Sequence, residues 1–259
     1  MTRFARRALV ASPTPPAQAA ARELADADDW VDPSDADVVI ALGGDGFMLD
    51  TLHAMLERRR PEVPVFGMNL GTVGFLMNEW RRHGLEERLQ RAKPFKVTPL
   101  DATVRGNDGR LHQLPAINEV SLLRETRQTA KIEVTVNERV VMNELVCDGI
   151  LVATPAGSTA YNLSAHGPIL PLDSALLALT PISPFRPRRW RGAILPDRAR
   201  IGLRVLEAGK RPVSAVADQQ EIRNIASVDI RVDRSREMTL LFDPEHALDD
   251  RITMEQFIA

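Results

Sequence analysis

The chain has 259 residues, of which 26% are charged and 44% apolar, with 33 basic against 35 acidic side chains. This near-neutral balance excludes a generally basic nucleic-acid coat, and the apolar content excludes a disordered chain. Cys147 is the only cysteine, which rules out an intramolecular disulfide and four-thiolate zinc sites. No apolar run approaches the ~18 residues of a membrane-spanning helix. Arg3, Arg6 and Arg7 are not followed by an apolar core segment, so this stretch reads as a lead into a first strand and not as a signal peptide. A cytoplasmic protein is expected, with neither nucleic acid nor membrane as partner.

In chain order, Ala8–Val10 reads as a strand and Ala17–Ala25 as a helix. Val38–Leu42 is a continuous apolar run, the pattern of a strand buried on both faces. A glycine turn follows, then a helical segment from Phe47 to Arg59, a strand at Val63–Phe66, a second glycine-rich turn, and a helix at Leu85–Arg91. This β-α-β-α order predicts an α/β domain over residues 1–99, built on an open, mostly parallel sheet. Beyond residue 100 the period becomes two. Ile132, Val134 and Val136 alternate with Lys131, Glu133 and Thr135; Ile201, Leu203 and Val205 alternate with Arg200, Gly202 and Arg204; Val228, Ile230 and Val232 alternate with Asp229 and Arg231. Half-buried antiparallel strands give this pattern. Asn107-Asp108-Gly109 and Asn137-Glu138 are hairpin signals. An all-β, sandwich-like domain is expected over 100–242, with a short helix near Ser158–Leu163 capped by Ser158, and with the tail 243–259 returning to the first domain.

Two charge runs stand apart. Glu23–Asp37 is acidic without a basic residue, and Arg186–Arg211 is strongly basic. A solvated face explains either. The arginine segment Phe185–Arg191 also suits a phosphate or a subunit contact.

Gly43-Gly44-Asp45-Gly46 sits directly between the buried strand and the helix. Ligands of open parallel sheets collect at such carboxyl ends, glycines admit a phosphate close to the backbone, and a helix N-terminus favours an anion. Asp45 is out of place among phosphate donors unless it has a task. It can take a proton from a hydroxyl, orient a magnesium ion on the phosphates, or simply cap the helix. Leu49 stands where a dinucleotide fingerprint wants its third glycine, and no P-loop sequence occurs. Gly67–Leu76 is a second glycine turn, and Cys147–Ser164 runs strand, turn and short helix, with Ser158, Thr159, Tyr161 and Ser164 suited to flank a purine or ribose. The five histidines are scattered, no zinc-protease or nucleophile-elbow motif is present, and no built-in metal site is expected.

Together these segments resemble the NAD kinase family. The likeness is carried by Gly43–Gly46, Asn69-Leu70-Gly71, Gly74-Phe75-Leu76, Asn118-Glu119, Asp148-Gly149, Thr159–Ser164 and Gly167-Pro168-Ile169, in family order over residues 40–220. The resemblance implies transfer of the γ-phosphate of ATP to the 2′-hydroxyl of the adenosine ribose of NAD, with Mg²⁺ or another divalent cation arriving with ATP. It implies Asp45 as the base and Gly43, Gly44 and Gly46 as the phosphate loop. It further implies that Asp45, Gly46, Asn118, Glu119, Asp148, Ala156, Thr159, Ala160, Tyr161, Ser164 and Gln220 hold the dinucleotide, in a homodimer or homotetramer. Phe47, Val146 and His166 depart from the family's usual Thr, Arg and Gly. A lipid kinase with a similar glycine turn and a non-catalytic dinucleotide sensor are the rivals. The first would call for membrane attachment; the second has no use for Asp45.

Overall fold

The computed structural model describes residues 4–71 and 74–244. In chain order the elements are β1 (Arg7–Ala11), α1 (Pro15–Leu24), β2 (Val38–Gly43), α2 (Asp45–Glu57), β3 (Val65–Asn69), β4 (Asn78–Glu79), α3 (Leu85–Arg91) and β5 (Lys93–Val97). They continue with β6 (Leu100–Gly106), β7 (Leu111–Ala116), β8 (Glu119–Arg124), β9 (Ala130–Val136), β10 (Arg139–Cys147), β11 (Gly149–Ala153), α4 (Tyr161–Ser164), β12 (Leu176–Ile182), β13 (Ala193–Pro196), β14 (Ile201–Val205), β15 (Val213–Ala217), β16 (Gln220–Ile222), β17 (Ile225–Val232) and β18 (Met238–Phe242). They form two units, one running to Val97 and resuming at Ser235, the other Thr98–Arg234.

The first unit is an α/β layer structure. Its sheet runs β1-β2-β3-β18-β5, with β4 paired to β3; all neighbours are parallel except β18 and β5. Every residue of β2 is buried, as the unbroken apolar run requires. Pro15 and Pro16 open α1, where a missing N–H costs nothing. Ala17, Ala20 and Leu24 then return on one face and pack with Ile40, Leu42, Phe66 and Leu89. Helix α2 buries Met48, Leu52 and Met55 and lies against β2 and β3. Each such side chain, fully buried, contributes about 1.5–3 kcal/mol. Much of the acidic run Glu23–Asp37 faces arginines: Asp28 pairs with Arg7, Asp32 with Arg58, Asp37 with Arg6 and Glu23 with Arg82.

The second unit is a sandwich of two antiparallel sheets, β10-β9-β14-β17-β6-β7 and β13-β12-β11-β8-β15-β16. Val104, Ile132, Val134, Leu203 and Val228 from the first sheet share one core with Leu122, Ile150, Val152, Leu179 and Ala215 from the second. Asn137 and Glu138 join β9 to β10 with φ of 50° and 66°, the two positive values of a type I′ hairpin turn.

Residues 238–242 were expected in the second domain, whose end was set at 242. Instead β18 lies between β3 and β5, pairing Leu240 with Val65 and Met238–Phe242 with Val97–Lys93. Alternation reports that a strand has two unlike faces, not which sheet receives it. The expected return of the tail falls, from residue 245 onward, outside the described residues. Among those described, no helix is long and apolar enough to cross a membrane.

Candidate active site

The glycine turn lies where the sequence puts it. β2 ends at Gly43, Gly44 is the N-cap of α2, and Asp45 is the first helical residue. Gly44, and not Asp45, thus holds the N-cap position. Asp45 Oδ2 accepts the Phe75 N–H at 2.7 Å and its Oδ1 the Leu76 N–H at 3.0 Å, so both oxygens are fixed by the turn that follows β3. Gly74 makes room for this, since a Cβ there would stand 2.9 Å from Asp45 Oδ1. The two turns also meet through the Leu70 N–H, which bonds the Gly43 carbonyl at 2.7 Å. At Gly44, φ is −117° and an added Cβ would touch nothing within 4 Å. Neither conformation nor packing within the described residues demands glycine there, though glycine is among the residues favoured at an N-cap. At Gly43 an added Cβ would meet the Phe47 side chain at 2.8 Å, so Phe47 packs on the end of β2.

In the second unit, Asn118 and Glu119 lead into β8. The Thr154 hydroxyl donates to the Ile117 carbonyl at 2.7 Å and accepts the Gly157 N–H at 3.0 Å. Gly157 itself lies on the Asn118 backbone, where a Cβ would stand 2.1 Å from the carbonyl oxygen. The Asn118–Glu119 turn and the segment carrying Ala156, Thr159, Ala160 and Tyr161 are therefore one packed body. Two of its buried acceptors, Asn118 Oδ1 and Glu119 Oε2, have no donor among the described residues. Burial first, then the nearby Asp218 charge, pushes the Glu119 carboxyl up to about 8, with the Tyr161 N–H opposing the shift. The Tyr161 phenol is also raised, by burial and then by Glu119 and Asp148.

Asp148 follows β10 and is half-buried against Arg124, whose Nε donates to its Oδ1 at 2.6 Å. Ser164 and Gln220 are exposed. Ser158 was expected to cap the short helix. It is instead fully buried, its hydroxyl bonded to the Pro155 carbonyl at 2.7 Å and accepting the Leu170 N–H at 3.0 Å. It therefore ties the turn together and faces no ligand. Asn162 plays a similar part, bonded to Ser158, Pro168 and Thr180.

Family models match both units. The ATP-NAD kinase N-terminal domain matches residues 11–91, and the ATP-NAD kinase C-terminal domain matches residues 117–243. The chain belongs to the NAD kinase family. An NAD kinase of Rhizorhabdus wittichii is 68% identical over 252 residues, covering 97% of this chain and 98% of that one. One from Zymomonas mobilis is 63% identical over 255 residues, 98% of each. Among solved structures, yeast NADH kinase complexed with NADH superposes with a TM-score of 0.80 at 20% identity, covering 97% of this chain and 87% of that one. An NAD kinase from Archaeoglobus fulgidus in complex with ATP gives 0.75 at 21%, covering 96% and 98%. At these identities the two structures show a shared fold. This NAD kinase phosphorylates NAD to NADP using ATP.

Against that family, His166 has φ of 61°, a left-handed conformation that explains why glycine is usual there. Val146 exchanges backbone bonds with Phe185 and Arg186, which lays the arginine segment beside the end of β10. Asp218 was passed over in the sequence. The available signal was an Asp in a two-residue turn just before Gln220, but its partners lie a hundred positions away.

Proposed function

We propose that Asp45 is the general base of the phosphoryl transfer. Asn118, Glu119, Asp148, Ala156, Thr159, Ala160, Tyr161, Ser164 and Gln220 hold the dinucleotide, and Gly43, Gly44 and Gly46 bed the triphosphate. The observation that carries this reading is the Asp45 carboxylate, gripped by two backbone N–H groups inside a turn otherwise suited to phosphate. A negative group there is unfavourable unless it acts on a proton or a cation.

The 2′-oxygen of the adenosine ribose attacks the γ-phosphorus of ATP, the bond to the β,γ-bridging oxygen breaks, and the hydroxyl proton passes to Asp45. The products are NADP and ADP. Such transfers leave the protein chiefly positioning and charge stabilisation. A divalent cation, Mg²⁺ in the simplest case, accompanies ATP on its phosphates. The orphan acceptors Asn118 Oδ1 and Glu119 Oε2 suit hydroxyl donors such as those of a ribose. Exposed Val140 and Val141 on β10, with Phe185 and Ile194, supply apolar surface for a homodimer or homotetramer. A cytoplasmic location belongs to the same proposal.

The test supplies purified protein with NAD and Mg-ATP and detects NADP with an NADP-specific dehydrogenase, with Asp45→Asn alongside. The variant is expected to keep its fold and its NAD affinity by calorimetry while losing ~10²–10⁴-fold in turnover. Turnover within about threefold of wild type would remove Asp45 from this role.

A further inference from the structure

Asp218 opens the two-residue turn between β15 and β16, at φ of 50°, a left-handed conformation that aspartate tolerates. From there its carboxylate reaches the approach to β8. Oδ2 accepts the Ile117 N–H at 2.7 Å, and Oδ1 accepts the Asn118 N–H at 2.9 Å and the Glu119 N–H at 3.3 Å. The Asp218 N–H donates in return to the Glu119 carbonyl at 3.1 Å. The Asn137-Glu138 turn makes a lesser version of this clasp, with the Arg200 N–H on Asn137 Oδ1 at 3.0 Å and the Asn137 N–H on the Arg200 carbonyl at 2.8 Å. Asp218 differs in gathering three N–H groups on a carboxylate, and each bond to a charged acceptor is roughly twice as strong as a neutral one.

The side chains on this gripped backbone are those with orphan acceptors, Asn118 Oδ1 and Glu119 Oε2. We propose that Asp218 is a positioning residue for the dinucleotide, gathering three successive N–H groups so that Asn118 and Glu119 are aimed at the ligand, and setting its own charge against the Glu119 carboxyl. This rests on the reading that Asn118 and Glu119 hold NAD.

The charge has a measurable consequence. The ionisable groups facing Glu119 are Asp218 from the β15–β16 turn and Tyr161 from the start of α4, with Asp148 acting on the same tyrosine. With its carboxyl at about 8, Glu119 is a neutral acid at pH 7, able to donate as well as accept. A bound dinucleotide buries the carboxyl further and brings two phosphate charges, and both favour the neutral form. Glu119 therefore holds its proton more tightly in the complex than in the free protein. By linkage, affinity for NAD is fully present below about pH 8 and falls as pH rises through that value.

The experiment follows KM for NAD and for ATP, with calorimetric NAD affinity, from pH 6 to about 9.5 in wild type, Asp218→Asn and Asp218→Glu. Asp218→Asn removes the charge and one acceptor oxygen. KM for NAD should rise roughly ten- to a hundredfold with little change for ATP, and the alkaline limb should move to lower pH. Asp218→Glu keeps the charge on a longer arm, so it should raise KM but leave the limb near its wild-type position. An unchanged KM overturns the proposal. So does a raised KM with an unmoved limb in Asp218→Asn, which is the mark of a purely structural residue, and so does failure of both variants to fold by circular dichroism. Asn118→Ala and Glu119→Ala separate this from the underlying reading. If they leave KM for NAD unaltered, the pair does not hold the dinucleotide. If they raise it and Asp218→Asn does not, only the role of Asp218 falls.

Discussion

At the scale of single residues, the proposed catalytic turn depends as much on absent side chains as on present ones. Gly74→Ala places a methyl 2.9 Å from Asp45 Oδ1 and 3.2 Å from the Met77 side chain. Either the carboxylate moves or the Phe75 and Leu76 amides that fix it do. Turnover is expected to fall by about tenfold or more, equivalent to ~1.4 kcal/mol of transition-state stabilisation, with the thermal midpoint moving by only a few degrees. Wild-type kcat in a folded Gly74→Ala would show that the geometry of Asp45 does not matter to the reaction. Asp45 was legible in the sequence because a carboxylate amid glycines after a buried run is locally anomalous. The donors that hold it, thirty positions on, were not. A longer separation hid Asp218, whose bonds reach across about a hundred residues to Ile117, Asn118 and Glu119. Motif spacing identifies the groups that do chemistry more readily than the groups that aim them, because aiming is done through the fold.

At the scale of elements, strand type and period were readable, while edges and partners were not. Helix α3 shows why. It is seven residues long and was expected at its observed bounds, yet its most buried polar residue, Arg88, is explained by distant partners, chiefly Asp243 just after β18. Arg88 Nε and Nη2 bond the Asp243 carboxylate at 3.0 and 2.6 Å, Nη2 also bonds the Glu79 carbonyl at 2.8 Å, and the guanidinium lies 5.0 Å over the Phe66 ring. The Asp243 N–H then donates to Asn78 Oδ1, and Asn78 Nδ2 bonds the Gly67 and Leu241 carbonyls. This chain of bonds anchors the end of β18 to β3, β4 and α3. A buried pair adds little over an apolar replacement, but breaking one side leaves an uncompensated charge. Arg88→Met is therefore expected to lower the unfolding free energy by about 3–5 kcal/mol, measured by urea denaturation, with KM values for the surviving folded protein little changed. A loss below about 1 kcal/mol would mean that water or a neighbouring group compensates Asp243.

At the scale of the whole molecule, chain connectivity makes the second unit an insertion within a hairpin of the first. Val97 at the end of β5 sits opposite Met238 at the start of β18, so the ends left by removing the second unit are adjacent across an antiparallel pair. Two strands so placed need only a tight turn between them. Two expectations follow from this register. A fragment covering Thr98–Arg234 is continuous, carries its own two-sheet core, and should fold alone, with a β-type circular dichroism spectrum and a cooperative urea transition. A fragment ending at Val97 should not, because β18 belongs between β3 and β5: without it β5 has no partner, and β3 keeps only β4 along part of that edge, leaving Val65 unpaired there. Joining Val97 to Met238 through Asn-Gly should restore the first unit as a cooperative α/β fold, since that dipeptide supplies the positive φ values of a two-residue turn. If the joined protein shows helix content without a cooperative transition, the first sheet depends on the second unit for more than the return of its fourth strand. If it folds, the glycine turn and Asp45 can be titrated with nucleotide apart from the unit proposed to hold the dinucleotide.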